Sequence, residues 1–193
     1  MARQTTEVRT TVRVEEEKVC DLQAWRQRRH DALLDDAQEL MMEGHEEAAL
    51  QLAFDALRVE RSSYPATALA GTLLGLVGDA ETAALYLREA VRLRPDLADA
   101  YYELGATLLD LDRPQEALEW LDQGVERLSE RDSDLRDFLF AGRAEALITL
   151  GRVDEAEAML ADARLLCEDP MRLRNAVESL IGEVRARPVL RLV

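Results

Sequence analysis

Apolar residues along most of this chain return every three or four positions, the period of helices that bury one face. From about Asp21 the apolar positions are Leu22, Trp25, Leu33, Leu34, Ala37, Leu40 and Met41. Gly44–His45 breaks the run, and Ala48, Ala49, Leu52, Ala53, Ala56 and Leu57 resume it. Pro65 after Ser62–Ser63, the pair Pro95–Asp96, and Pro114 after Asp112–Arg113 read as helix starts. Gly78–Asp79 reads as a turn in which Asp79 caps the next helix. A last helix is expected from Pro170 to about Arg187, through Leu173, Val177, Leu180, Ile181 and Val184. One segment departs from the helical period. Val8, Thr10, Val12 and Val14 alternate with Arg9, Thr11 and Arg13, which is a strand pattern. A lone strand in a helical chain has no sheet to join. Residues 1–20 are therefore expected to form an extended or disordered arm, to pair with another copy or a partner, or to lie along the protein's own groove.

The helical pattern itself repeats. The segment from Tyr64 carries Gly71, Leu74, Gly78, Ala83, Leu87, Ala90 and Pro95, and 34 residues later the segment from Ala98 carries Gly105, Leu108, Ala117, Leu121 and Gly124. A copy from His30 carries Ala37, Leu40, Gly44, Ala49, Ala53 and Ala56, and another from Asp137 carries Ala144, Leu147, Gly151, Ala156, Leu160 and Ala163. Ala117 and Ala156 are 39 residues apart, so about five extra residues are expected in a loop near Ser129–Ser133. Period and small-residue positions together resemble the tetratricopeptide repeat family. The first copy is the weakest, with Asp36 at the usual leucine position, where the fourth has Arg143.

The resemblance implies an all-α, right-handed helical solenoid of about four helix pairs, over residues 30–63, 64–97, 98–131 and 137–170. Residues 170–187 would form a capping helix over the exposed end, and residues 188–193 a tail. Gly71, Gly105, Ala83, Ala117 and Ala156 would allow close helix approach, with Leu87, Tyr101 and Phe140 filling the gaps. Trp120 would pack between repeats, and Trp25 would anchor the entering helix.

In this family the first helices of successive pairs line a concave face. Carried onto this chain, that face consists of Leu34, Gln38 and Met41; Ala68, Leu69, Thr72 and Leu76; Tyr102, Ala106 and Leu109; and Phe138, Ala141, Glu145 and Ile148. The set is mostly apolar, and it lacks the Lys, Arg and Asn with which one branch of the family grips a C-terminal carboxylate. Tyr102 and Phe138 are the leading candidates for partner contact, since aromatics dominate binding hot spots. Tyr101 and Tyr102 are adjacent and cannot face the same side of a helix.

Charge changes the picture of the partner. The chain carries −15 overall, but residues 31–171 hold 12 arginines against 32 carboxylates, a charge of −20. Residues 1–30 carry +2 and residues 172–193 carry +3. Such a body repels phosphate backbones, which argues against nucleic acid, and attracts a basic partner. No apolar run reaches membrane-spanning length, no signal core is visible, and Cys20 and Cys167 form no disulfide framework. A cytoplasmic protein without membrane insertion is expected.

Little in the chain suggests catalysis, a cofactor or a metal. His30 beside Asp31, and His45 before Glu46 and Glu47, are the two histidines. Neither belongs to an i, i+4 ligand pair, and both read as ordinary surface residues. Cys167 reads as a buried apolar cysteine, and Gly71, Gly75 and Gly78 are spaced for helix packing, with no phosphate-loop Lys after them. The expected function is a non-enzymatic adaptor or scaffold that binds a protein or peptide in an apolar groove, with a homodimer through the N-terminal arm as a further option. One alternative is a cytoplasmic chaperone of secreted proteins, similar to those of type III secretion translocators. Another is an enzyme or regulatory subunit with an unrecognised site.

Overall fold

Helical hairpins succeed one another along the chain. The computed structural model describes residues 2–129 and 132–163, and contains α1 (Ala2–Met42), α2 (Glu46–Val59), α3 (Tyr64–Leu76), α4 (Ala80–Leu93), α5 (Asp99–Asp110), α6 (Pro114–Val125), α7 (Ser133–Thr149) and α8 (Val153–Ala163). The expected capping helix over 170–187, the tail and Cys167 lie outside the described residues.

The turn inside each hairpin is the same device used four times. Gly44, Gly78 and Gly151 have φ of +77°, +90° and +76°, and Asp112 holds the equivalent place with φ of +54°. Each follows the end of a helix, and the next residue donates its N–H to the carbonyl five positions back: His45 to Leu40, Asp79 to Leu74, Arg113 to Leu108 and Arg152 to Leu147, at 2.8–2.9 Å. This satisfies carbonyls that the helix end would otherwise leave unpaired and reverses the chain in two residues. Two of the second helices then start on a cap or a proline: Asp79 accepts the N–H of Thr82, and Pro114 opens α6.

Packing follows from the small residues. Each helix packs on its neighbours in sequence, and the odd-numbered helices also approach one another, α1 with α3, α3 with α5 and α5 with α7. Among the described residues the even-numbered helices show no such backbone approach. They meet through long side chains, as Phe54 and Tyr86 do with ring centroids 5.8 Å apart. The shorter spacing puts the odd helices on the inside of the curve. The core runs between the two layers and is made of residues such as Leu73, Leu87, Leu104, Leu108, Leu121 and Leu139, all fully buried beside Ala83, Ala117 and Ala156. Trp120 packs against Tyr101, ring centroids 6.0 Å apart, at the junction of α5 and α6, as the pattern suggested. Tetratricopeptide-like stacking of helix pairs into a solenoid is thus the architecture of the described chain.

Three expectations need correction. First, the strand-like segment 8–14 is part of α1, which is helical from Ala2. An isolated strand leaves its backbone groups without partners, whereas a helix pairs them within the segment. The extended arm, and a homodimer made by pairing that strand, therefore lose their basis. Second, Trp25 does not anchor the entering helix: it is 56% exposed, as is most of α1 between Asp21 and Arg29.

Third, His30 is buried and not on the surface. It is the first residue of α1 to reach the stack, and it meets the start of α3, where its Nε2 lies 2.7 Å from Ser63 Oγ and its Nδ1 3.1 Å from Asp31 Oδ1. Ser63 is the N-cap of α3 and also accepts the Ala66 N–H at 3.2 Å. One hydroxyl thus serves a helix cap and a buried imidazole. Ser63→Ala removes both contacts and leaves a buried ring nitrogen without a partner, so it is expected to cost about 2–3 kcal/mol. Adding His30→Leu removes the orphaned nitrogen and should recover about half of that loss in a urea titration. A double variant less stable than Ser63→Ala alone would show that the histidine acts through packing and not through this hydrogen bond.

Candidate functional site on the concave face

α3 and α5 lie side by side on the inner layer, and α7 follows α5. In α5 the residues Asp99, Tyr102, Glu103, Ala106, Leu109 and Asp110 fall at helical spacing along one face. The opposite face, with Tyr101, Leu104 and Leu108, is fully buried. The inner face is therefore the open one, and it is where the candidate partner residues can be judged.

Tyr102 is half-buried and stacks in tilted fashion on Phe138 of α7, ring centroids 5.6 Å apart, while Phe138 itself is 50% exposed. A large apolar ring held open in this way belongs to the surface and not to the core. Leu109 and Ala106 continue the face half-buried, as do Met41, Leu69, Thr72, Ala68 and Ala141. Gln38, Leu76 and Glu145 are exposed. The Thr72 hydroxyl donates to the Ala68 carbonyl at 3.2 Å.

Two expected groove residues belong to the core instead. Leu34 is 8% exposed and packs with Ala56 and Ala66. Ile148 is 2% exposed and packs with Leu118, Phe140, Leu147 and Met159. In α7 the residues Phe138, Ala141, Glu145 and Ile148 fall at helical spacing along one side, and Ile148, in the last turn, is covered by Leu118 of α6 and Met159 of α8. The period shows that a helix is amphipathic, but a residue at the edge of the apolar stripe can belong to either side.

The face is also less apolar than expected. Glu103 lies between the aromatic pair and α3, and burial pushes its carboxyl above the ordinary range, aided by the charge of Asp99, with the Thr72 hydroxyl pulling the other way. Burial, and then the charge of Asp110, also raise Glu145. Tyr102 is raised by burial and by both Glu103 and Glu145, so the two carboxylates act on the same hydroxyl. At the α3–α5 junction the Tyr64 hydroxyl donates to Asp99 Oδ1 at 2.5 Å, and burial together with that bond holds Tyr64 above its ordinary value. Asp99, Glu103 and Asp110 are absent from the expected site. Their spacing on the Tyr102 face of α5 was the available signal.

Chemically, this is an open surface with two aromatic rings and four carboxylates, of which Glu103 is half-buried and Asp99, Asp110 and Glu145 are exposed. Among the described residues no group of three His, Cys, Asp or Glu side chains could hold a metal ion, and no helix is long and apolar enough to cross a membrane. His45 lies at the turn before α2 and is exposed, far along the chain from the aromatic pair.

Comparison with known proteins agrees with the helix pairs. Residues 77–139 match a tetratricopeptide repeat family model. No curated protein sequence matches the chain. Among solved structures, the Pseudomonas aeruginosa protein pilF is similar over 83% of this chain and 71% of its own, with 18% identity and a TM-score of 0.70. The Sgt2 tetratricopeptide domain of Aspergillus fumigatus is similar over 67% of this chain and 82% of its own, with 20% identity and a TM-score of 0.55. A Thermobaculum terrenum O-GlcNAc transferase mutant shares 27% identity over 63% of this chain, with a TM-score of 0.57. This chain spans 22% of that transferase. The 34-residue period, the repeated hairpin turn and the matched segment agree: residues 77–139 match tetratricopeptide repeats, and the described helix pairs stack as a tetratricopeptide-like solenoid.

Proposed function

We propose that this protein is a non-catalytic scaffold that holds a protein or peptide partner on its concave face. The observation that supports this most is the open Tyr102–Phe138 pair on the inner layer. Burying such rings in a partner removes apolar surface from water, at about 25 cal/mol per Å², offset by the cost of ordering the partner. The titratable groups that burial and neighbouring charges displace on this face are carboxylates and tyrosines. They lie on an open surface without the histidine, cysteine or activated hydroxyl that a catalytic site would need beside them.

The test is a pull-down from the native host with wild type beside Tyr102→Asp, the bound proteins identified by mass spectrometry. A carboxylate placed in the aromatic contact should reduce recovery of the true partner by roughly tenfold or more, the scale of a hot-spot loss. Circular dichroism of the variant should match wild type. Equal recovery from both proteins would move the binding surface off the concave face.

A further inference from the structure

We propose that the bound segment is cationic, and that one of its arginine or lysine side chains sits against Tyr102 and Phe138 between Glu103 and Glu145. This rests on the concave face being the binding face, and adds the chemistry of what it binds.

Basic residues are scarce on the inner layer of the stack. α3 and α5 contain no basic residue. The part of α1 that enters the stack, from His30 to Met42, holds Asp31, Asp35, Asp36 and Glu39, with no Lys or Arg. The body's arginines lie mostly on the even-numbered helices and in the turns, and they are already engaged there. Arg92 pairs with Glu89, Arg94 with Asp96, Arg113 with Glu116, and Arg152 with Glu155, all at 2.6–2.8 Å. Arg143 of α7 is turned to Asp122 of α6, whereas Glu103, Asp110 and Glu145 have no ion pair among the described residues, and Glu103 and Glu145 both act on the hydroxyl of Tyr102, beside the open Phe138 ring.

Uncompensated carboxylates that are partly desolvated are unfavourable in the free protein, and an incoming cation removes that cost. A guanidinium suits the place best. It stacks on an aromatic face while donating to carboxylates on either side. The chain uses this combination elsewhere. Arg143 lies over the Phe140 ring at 5.7 Å with its Nε 2.7 Å from Asp122 Oδ1, and Arg127 lies over Tyr101 at 4.5 Å. On the concave face the rings and carboxylates are present, and the cation has to come from the partner.

The experiment measures fluorescence anisotropy of the full chain with three labelled decapeptides, in which leucine alternates with arginine, glutamine or glutamate. The arginine peptide should bind roughly tenfold or more tighter than the glutamine peptide, and the glutamate peptide should not bind. Glu103→Gln with Glu145→Gln should weaken the arginine peptide by roughly tenfold and leave the glutamine peptide unchanged. Glu47→Gln with Glu119→Gln, the same charge change on the even-numbered helices, should leave both unchanged. Equal weakening by the two double variants would reduce the effect to the bulk acidity of the body and overturn the proposal. A glutamine peptide that binds as tightly as the arginine peptide, with both lost on Tyr102→Asp, would keep the concave face and remove the cation seat. Absence of binding by every peptide would also overturn the proposal, while the pull-down would still decide the face.

Discussion

Gly105→Ala should destabilise the protein by about 1–3 kcal/mol, although alanine is the better helix former by about 1 kcal/mol. The reason is local. A Cβ at Gly105 would meet Leu121 Cγ at 2.4 Å and Cδ2 at 2.6 Å, and Leu121 is fully buried with no room to withdraw. The helices must separate, or the leucine must leave its rotamer. At this chain length the melting temperature should fall by roughly 2–4 °C per kcal/mol. Gly75→Ala is the matched control. It lies in the last turn of α3 and a Cβ there meets nothing within 4 Å, so helix propensity should dominate and stability should rise by up to about 1 kcal/mol. Leu121→Ala alone should cost about 2–5 kcal/mol. Because the truncated side chain opens the space the new methyl needs, the double variant should lose clearly less than the sum of the two. Strict additivity would show that the cost at Gly105 does not come from Leu121.

The same contact explains why the fold was legible. Gly71 stands against Leu87 as Gly105 stands against Leu121, with the alanine methyl of the former position 2.7 Å from Leu87 Cγ. Both pairs are separated by 16 residues, and the pairs by 34, so a purely local periodicity encodes which helices touch. The left-handed turn position recurs at Gly44, Gly78 and Asp112 by the same arithmetic. What the period could not carry was anything that depends on where a helix ends or how it is rotated. The β-branched run at 8–14 has strand propensity but no neighbouring strand, and helix α1 absorbs it. His30 reads as polar and therefore exposed, yet it is buried because Ser63, thirty-three residues away, supplies its hydrogen bond. Ile148 and Phe138 are both large and apolar on α7, and only the position of α8 decides that the first is core and the second open. The carboxylates of the concave face were visible as residues. Their lack of arginine partners was not, because only the assembled stack decides that Arg143 of α7 turns to Asp122 of α6.

Tyr101→Ala and Tyr102→Ala should have opposite consequences, though the residues are neighbours. Tyr101 is 2% exposed, its hydroxyl donates to the Pro95 carbonyl at 3.1 Å, and its ring is flanked by Trp120 on one side and the Arg127 guanidinium on the other. Truncating it opens a cavity where α5 meets α4 of the preceding hairpin and α6 of its own, and removes the surface on which Arg127 rests, for an expected loss of about 3–5 kcal/mol. Since a solenoid is stabilised through nearest-neighbour contacts, that loss falls at the join between hairpins, and the urea transition should broaden as the two halves uncouple. Tyr102 is half-buried and contributes mainly its contact with Phe138, so Tyr102→Ala should cost only about 1 kcal/mol. Its effect should appear in affinity, with the captured partner bound roughly 30-fold more weakly. The two measurements, a urea titration and partner affinity, place each variant on perpendicular axes. A Tyr102→Ala protein as unstable as Tyr101→Ala would return that ring to the core. The concave face would then lose its aromatic pair, the main support for a peptide bound there.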